Sequence, residues 1–317
     1  MRRGLGLLAA LGVGALLAMQ SRVNGTLGAR LQDGIAAAVI SFGGGLIVLL
    51  ACTAAVPTAR RGFRRIAETL RSGIGLRPWQ CLGGVCGAFL VLSQGVTASA
   101  LGIALFTVAV VAGQVVSGMV VDRFGLGPGG RQQVTTTRLI GAVLTLVAVV
   151  IAVSARLGET RASWLVVLPG LAGIGVAWQQ AVNGRVKQTA DSTVSASTLN
   201  FATGTAALVL AGIVEITVRG LPDSYPDDPR LYLGGLIGIF VIGGATVLVR
   251  YTGVLLLSMG MIAGQLAGAL ALDLIVPTPG TRIETSTLVG VGLTLVAAVV
   301  AALPAGPRTE SARDLPR

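Results

Sequence analysis

Gln20 and Asn24 stand four residues apart, and so do Gln179 and Asn183. On a helix that spacing puts both amides on one face, and an amide offers two donors and an acceptor without carrying charge. Such a face suits contact with a neutral or zwitterionic polar solute, or the lining of its entrance. Hydrogen bonding to neighbouring helices or capping of the helix end are the alternatives. Gly25 and Gly184 follow directly, where the chain is expected to turn. Gln114 and Gln265 are lone amides inside the apolar stretches VVAGQVVSG and MIAGQLAGA. A polar side chain within a membrane helix needs a partner or a purpose. Solute contact is the favoured purpose of this pair, with inter-helix hydrogen bonding as the alternative. Asn200 and Gln94 are further amides, opposite Ser41 and Ala245 in the repeat described next. Gln114, Gln265, Gln20, Asn24, Gln179, Asn183 and Asn200 are thus the expected substrate contacts.

These amides are positioned by a repeat. Residues 20–45, QSRVNGTLGARLQDGIAAAVISFGGG, return at a constant offset as residues 179–204, QQAVNGRVKQTADSTVSASTLNFATG. Gln20, Asn24, Gly25, Phe42 and Gly45 meet Gln179, Asn183, Gly184, Phe201 and Gly204 without a gap. Further on, Leu82, Gly83, Gly84, Gly87 and Phe89 meet Leu233, Gly234, Gly235, Gly238 and Phe240. Ala112-Gly113-Gln114 meets Ala263-Gly264-Gln265, and Asp122 meets Asp273. The offset changes between these blocks fall in expected loops, where insertions are tolerated. One unit is written twice, at 1–157 and 158–306, followed by a tail at 307–317 with the expectation of disorder.

Only 12% of the 317 residues are charged and 53% are hydrophobic, with a mean hydropathy of +0.82. Soluble domains carry about 25% charged residues, so most of this surface must face lipid. The net charge of +11 comes with a single lysine, Lys187, and 4% aromatics. No basic run is interleaved with stacking aromatics, so nucleic acid is not an expected partner. Cys52, Cys81 and Cys86 have no metal-ligand spacing and the chain has no His, so neither a metal nor any other cofactor is expected. Without a nucleophile elbow, a phosphate loop or clustered carboxylates, an enzyme is not expected either.

A membrane-spanning helix needs about 20 apolar residues. By that rule the first half gives spans near 4–22, 35–56, 79–97, 101–121 and 138–155. The second gives 163–182, 194–218, 231–249, 253–276 and 286–304. Very short links predict tight hairpins between the third and fourth spans and between the eighth and ninth. With the N-terminus inside, 17 of the 24 Lys and Arg fall on the cytoplasmic side, as the positive-inside rule requires. The acidic loop LPDSYPDDPR at 221–230 falls outside. The expected fold is therefore an all-α integral membrane protein of ten transmembrane helices, both termini cytoplasmic. Five helices per unit insert the two copies upside down, as two inverted five-helix repeats around an axis in the membrane plane.

Asp122 and Asp273 are expected at helix ends near the interface, with coupling to an ion as their alternative role. Gly83 and Gly87, Gly234 and Gly238, and Gly264 and Gly268 are spaced by four, which lets helix backbones approach closely. Trp178 is expected as an interface anchor or a stacking surface.

The Q-x-x-x-N-G stretch, the later S-F-x-x-G, the W-x-x-x-G-G-x-x-G-A-F segment from Trp79 to Phe89 and the V-A-G-Q…D-x-F-G segment from Val111 to Gly125 carry a resemblance. They resemble the YdcZ-type, EamA-like branch of the drug/metabolite transporter superfamily, and the chain looks like two of its half-length units fused. The resemblance implies an inner-membrane, multi-pass protein with a ten-helix inverted-repeat fold. The small multidrug-resistance relatives carry a glutamate midway along their first helix, which this first helix lacks. The expected function is transport of a small polar or amphipathic metabolite across the cytoplasmic membrane by alternating access. A non-transporting scaffold or regulator of the same fold and a multidrug exporter are the alternatives. The expected partners are membrane lipid and a small-molecule substrate, and a homo-oligomer is compatible with the pattern.

Overall fold

The first helix, α1 (Arg2–Leu31), runs well past the apolar segment expected at 4–22. In this computed structural model, which describes residues 2–128, 130–131, 135–154, 164–277 and 284–302, Gly25 does not turn the chain. It lies inside α1, where an added Cβ would stand 2.8 Å from the Cβ of Ala98. Gly184 likewise lies inside a continuous helix and faces Pro128. Both glycines serve close contact: the extension of α4 at Ala98 crowds Gly25, and the loop residue Pro128 would stand 3.0 Å from a Cβ on Gly184. The reversals come later, at Gln32 and Asp191, which take the left-handed conformation with φ 53° and 50°. Each is followed by an N-cap: Asp33 accepts from the N–H groups of Ile35 and Ala36, and Ser192 from that of Ser195. Such caps satisfy orphan donors of the first turn.

The other helices are α2 (Gly34–Ala55), α3 (Pro57–Ser72), α4 (Gly83–Ser93), α5 (Ile103–Phe124), α6 (Thr136–Ser154), α7 (Val167–Ala190), α8 (Thr193–Arg219), α9 (Gly234–Ile275) and α10 (Thr285–Ala302). The described residues contain no strand. Among them, five helical stretches are long and apolar enough to cross a membrane: Gly34–Ala55, Pro78–Leu101, Ile103–Phe124, Trp164–Ala190 and Thr193–Val218. Shorter apolar runs lie at Leu139–Ala152, Gly234–Ala245, Gly260–Ile275 and Thr285–Ala297. Ile47, Leu50, Leu210 and Val214 are exposed although apolar, the pattern of a surface whose solvent is hydrocarbon. The expected tail at 307–317 lies outside the described residues.

A π turn, Gln94–Ala98, extends α4 to Leu101, and Gly102 (φ 79°) is the one residue between α4 and α5. The two helices run in opposite directions along α7. On one side Gly83 faces Asn183 and Gly87 faces Gln179; on the other, Gly173 faces Val110 and Arg185 reaches Leu126. All 42 residues of α9 are helical, yet α9 cannot be one straight rod. Gln20 reaches Gly234 near its start, and Arg22 reaches Asp273 near its end. A straight helix would separate those two positions by about 58 Å at 1.5 Å per residue. The element doubles back, so that α1 lies between its two arms as α7 lies between α4 and α5.

The same contacts occur twice. Gly84 approaches the carbonyl of Asn200 as Gly235 approaches that of Ser41. Gly113 meets the Gly170 carbonyl as Gly264 meets that of Leu11. Phe42 stacks on its own counterpart Phe201, ring centroids 4.9 Å apart, and each ring fills the space above the other half's glycine, Gly204 or Gly45. The S-F-x-x-G pattern is thus a ring and a gap that interlock at the α2–α8 crossing. Along α6 and α10, Gly290 lies against Ala148 and Ala152.

Candidate functional site

The polar residues collect where the first helix of each half meets the α4-type helix of the other. Glycines make this possible, since Gly83, Gly87, Gly234 and Gly238 leave the amides of the facing helix room to turn. A Cβ on Gly87 would lie 2.5 Å from Gln179 Nε2, and one on Gly238 2.6 Å from Gln20 Nε2. Gly268 lies against Ala15 and Ala18 in the same way.

At the α7 junction, Asn200 is the hub. Gln179 Nε2 and Asn183 Nδ2 both donate to its Oδ1, at 2.9 and 2.8 Å. Its own Nδ2 is buried without a partner. At the α1 junction the residue in that place is Ser41, too short to bridge two amides. Gln20 Nε2 instead donates to the Gly234 carbonyl at 3.1 Å, and Asn24 Nδ2 donates to Gln94 Oε1 at 2.6 Å. Gln94 Nε2 in turn donates to Ser21 Oγ at 3.0 Å. The Asn24 Oδ1 and Ser41 Oγ atoms remain buried and unpaired. Gln94 and Asn24 are both completely buried. Buried polar atoms are normally satisfied, so each junction holds hydrogen-bonding capacity that the protein itself leaves unused. Replacing Asn200 by alanine strips the acceptor from one buried amide, Gln179, and one half-buried amide, Asn183. At about 1–3 kcal/mol for each orphaned group, the melting temperature of the purified variant is expected to fall clearly. An unchanged melting temperature would show that the hub carries no weight.

Gln114 and Gln265 sit apart from these clusters. Their backbones pack on equivalent glycines, Gln114 at Gly173 of α7 and Gln265 at Gly14 of α1. Gln265 is buried and Gln114 half-buried, and no hydrogen bond ties either side chain to another described residue.

The two aspartates are not alike. Asp273 Oδ1 pairs with Arg22 Nη1 at 3.4 Å, while Oδ2 accepts from the N–H of Ala104 at 2.8 Å, in the first turn of α5. Asp273 therefore joins α1, α5 and α9 and neutralises a helix N-terminus. Arg22 also donates to the Val276 carbonyl just after α9. Asp122 lies half-buried near the end of α5, where Arg185 donates to the Leu126 and Gly125 carbonyls at 2.6 and 2.7 Å. An arginine from a first helix thus closes the end of a helix it crosses on both sides. On the Asp273 side a carboxylate joins the arginine. Asp273 is buried and Arg22 half-buried, and removing one partner of a fully buried ion pair typically costs about 3–5 kcal/mol. Asp273→Ala should therefore destabilise strongly, and restoring stability with Arg22→Leu in the same chain would assign the loss to the stranded charge.

Sequence reasoning left Ser21, Ser41, Arg22 and the hub role of Asn200 unread. The signal available for Ser41 was its register opposite Asn200. Arg22 reads as an interface arginine until the extra turns of α1 carry it inward. Trp178 stacks on Trp79, ring centroids 6.0 Å apart. Four of the expected packing glycines meet amide heads rather than helix backbone alone.

The family described as "Putative inner membrane exporter, YdcZ" matches this chain twice, over residues 5–151 and 164–300. The chain belongs to this family. It is an integral, multi-pass transporter-family protein of the inner membrane, and the family's description is that of an exporter. The two matches fall on the two halves read from the repeat. A solved structure described as "Crystal structure of protein" is similar in fold, with a TM-score of 0.54 at 18% identity, covering 94% of this chain and 95% of that one. Among curated proteins none matches.

Proposed function

We propose that the protein moves a small polar or amphipathic solute across the inner membrane by alternating access. It would do so between two inverted five-helix units, residues 1–157 and 158–306, with ten spans and both termini in the cytoplasm. The observation that carries this reading is the doubled set of crossings. The first helix of one unit is clasped by the α4–α5 pair, or its α9 counterpart, of the other. Two equivalent junctions on opposite membrane faces offer two packings of one interface, the usual basis for alternating access. In this reading Gln20 and Asn24 line the outer junction, and Gln179, Asn183 and Asn200 the inner one. Gln114 and Gln265, without a hydrogen-bond partner among the described residues, supply donors and acceptors to the solute between them. Arg22 with Asp273 closes the outer end, and Arg185 with the end of α5 the inner end. Asp122 and Asp273 are the carboxylates available for coupling, and Asp273 could serve only by releasing Arg22 and the Ala104 N–H.

Two measurements test this. On a background without Cys52, Cys81 and Cys86, a cysteine at Ile74 should react with an impermeant maleimide only from the cytoplasm, and one at Asp223 only from outside. The reverse pattern would overturn the topology. Function is tested by screening amino acids, sugars, nucleosides, polyamines and organic cations for thermal stabilisation of the purified protein, then measuring flux of each stabilising compound in liposomes. A compound that stabilises the protein but shows no protein-dependent flux would favour a scaffold.

A further inference from the structure

We propose that the arginine face of α3 binds anionic phospholipid headgroups and that the bound lipid holds α3 against the α7–α8 turn; the membrane side of this surface rests on the topology proposed above. Helix α3 begins at Pro57, and Val56 is the only residue between it and α2. It therefore starts where a spanning helix leaves the hydrocarbon, which puts it at headgroup depth and not out in the cytosol. Its inner face is Ala59, Gly62 and Ile66, all buried. A Cβ on Gly62 would run into Ser195 Oγ, whose hydroxyl donates to the Ala59 carbonyl at 2.8 Å. Arg65 pairs with Asp191 at 3.1 Å, both exposed. These polar and glycine contacts are with the α7–α8 turn, which belongs to the other half of the chain, while Ile66 packs on Val186, Ala190 and Ala196 there and on Leu76 of its own half.

The outer face carries Arg60, Arg61, Arg64 and Arg71, all exposed and without a hydrogen-bond or ion-pair partner among the described residues. Glu68 is the single acidic residue of the helix. Clusters of this size on an amphipathic helix are attracted to the anionic cytoplasmic leaflet. Two apolar groups near the same end point the same way. Ile74 is 79% exposed in the loop after α3, and Trp79 stacks on Trp178 while remaining 37% exposed. Tryptophan at the interface is a membrane anchor. The equivalent stretch of the second half, 216–231, leaves helix at Arg219 and carries Asp223, Asp227 and Asp228 instead. The basic helix is confined to the side that faces anionic lipid, and its counterpart is acidic.

The test compares melting of the full chain in neutral detergent with added phosphatidylglycerol or phosphatidylcholine. Phosphatidylglycerol should raise the melting temperature of the wild type and of R60K/R61K/R64K/R71K, but not of R60Q/R61Q/R64Q/R71Q. Phosphatidylcholine should raise none of them. An equal phosphatidylglycerol shift in the glutamine variant, or an equal shift with phosphatidylcholine, would overturn the proposal. Should the glutamine variant not fold, native mass spectrometry of the wild type decides. Preferential retention of phosphatidylglycerol supports the surface, and equal retention of both lipids rejects it. Labelling of the Ile74 cysteine reads the topology separately, so the two readings can fail independently.

Discussion

Gly84→Ala and Gly235→Ala are expected to yield little or no folded protein. At Gly84 a new methyl group would fall on the carbonyl of Asn200 and on Thr203 Oγ1, and at Gly235 on the carbonyl of Ser41. The obstructing carbonyls are backbone, which no rotamer change can move, so α4 must separate from α8 and α9 from α2. Overpacking a core costs typically about 1–3 kcal/mol, and the cost is greater when two helices must part. The separation at Gly84 would also pull on the Asn200 hub beside it. Gly43→Ala and Gly44→Ala are the controls, since nothing lies within 4 Å of a Cβ at either position. There the better helix propensity of alanine, up to about 1 kcal/mol, should leave stability equal or raised. Monodispersity and melting temperature in detergent separate the two groups. If Gly84→Ala behaved like Gly43→Ala, the close crossing described for α4 and α8 would be wrong.

The repeat made much of this architecture legible. Residues matched by register, such as Phe42 with Phe201 or Gly113 with Gly264, make equivalent contacts, because identical local sequence presents identical surfaces. The hairpin reversals at Gly102 and within α9 follow from the short links between apolar runs. Two kinds of feature could not be read. Helix α3 carries five arginines and so has no long uncharged stretch to mark it, although its buried positions 59, 62 and 66 have helical spacing. Gly25 and Gly184 were read as turns because a glycine after a polar pair has two meanings, bending and close approach. Only the segment packed against each glycine, Ala98 at Gly25 and Pro128 at Gly184, decides between them. The polar partners were hidden for the same reason. That Gln179 and Asn183 share Asn200, while Asn24 turns to Gln94, depends on which helices cross and on Ser41 being shorter than Asn200.

Leucine at Gln114 or Gln265 is expected to remove binding of the transported solute while leaving the protein folded. Neither side chain has a hydrogen-bond partner among the described residues, so the exchange breaks no bond described there, and the flanking Val115, Val116, Leu266 and Ile262 already make the surroundings apolar. This sets the pair apart from Asn24, Gln179 and Asn200, where a loss of transport could equally follow from a broken cluster. A solute at 100 times its dissociation constant stabilises its protein by about 2.7 kcal/mol. The wild type should show that gain as a raised melting temperature, and each leucine variant should lose most of it while melting normally without solute. Loss in Gln114→Leu alone would place the contact on the α5 side, as an asymmetric site between unlike halves allows. Full ligand stabilisation in both variants would remove these glutamines from the site and return attention to the unpaired atoms of Asn24, Ser41 and Asn200.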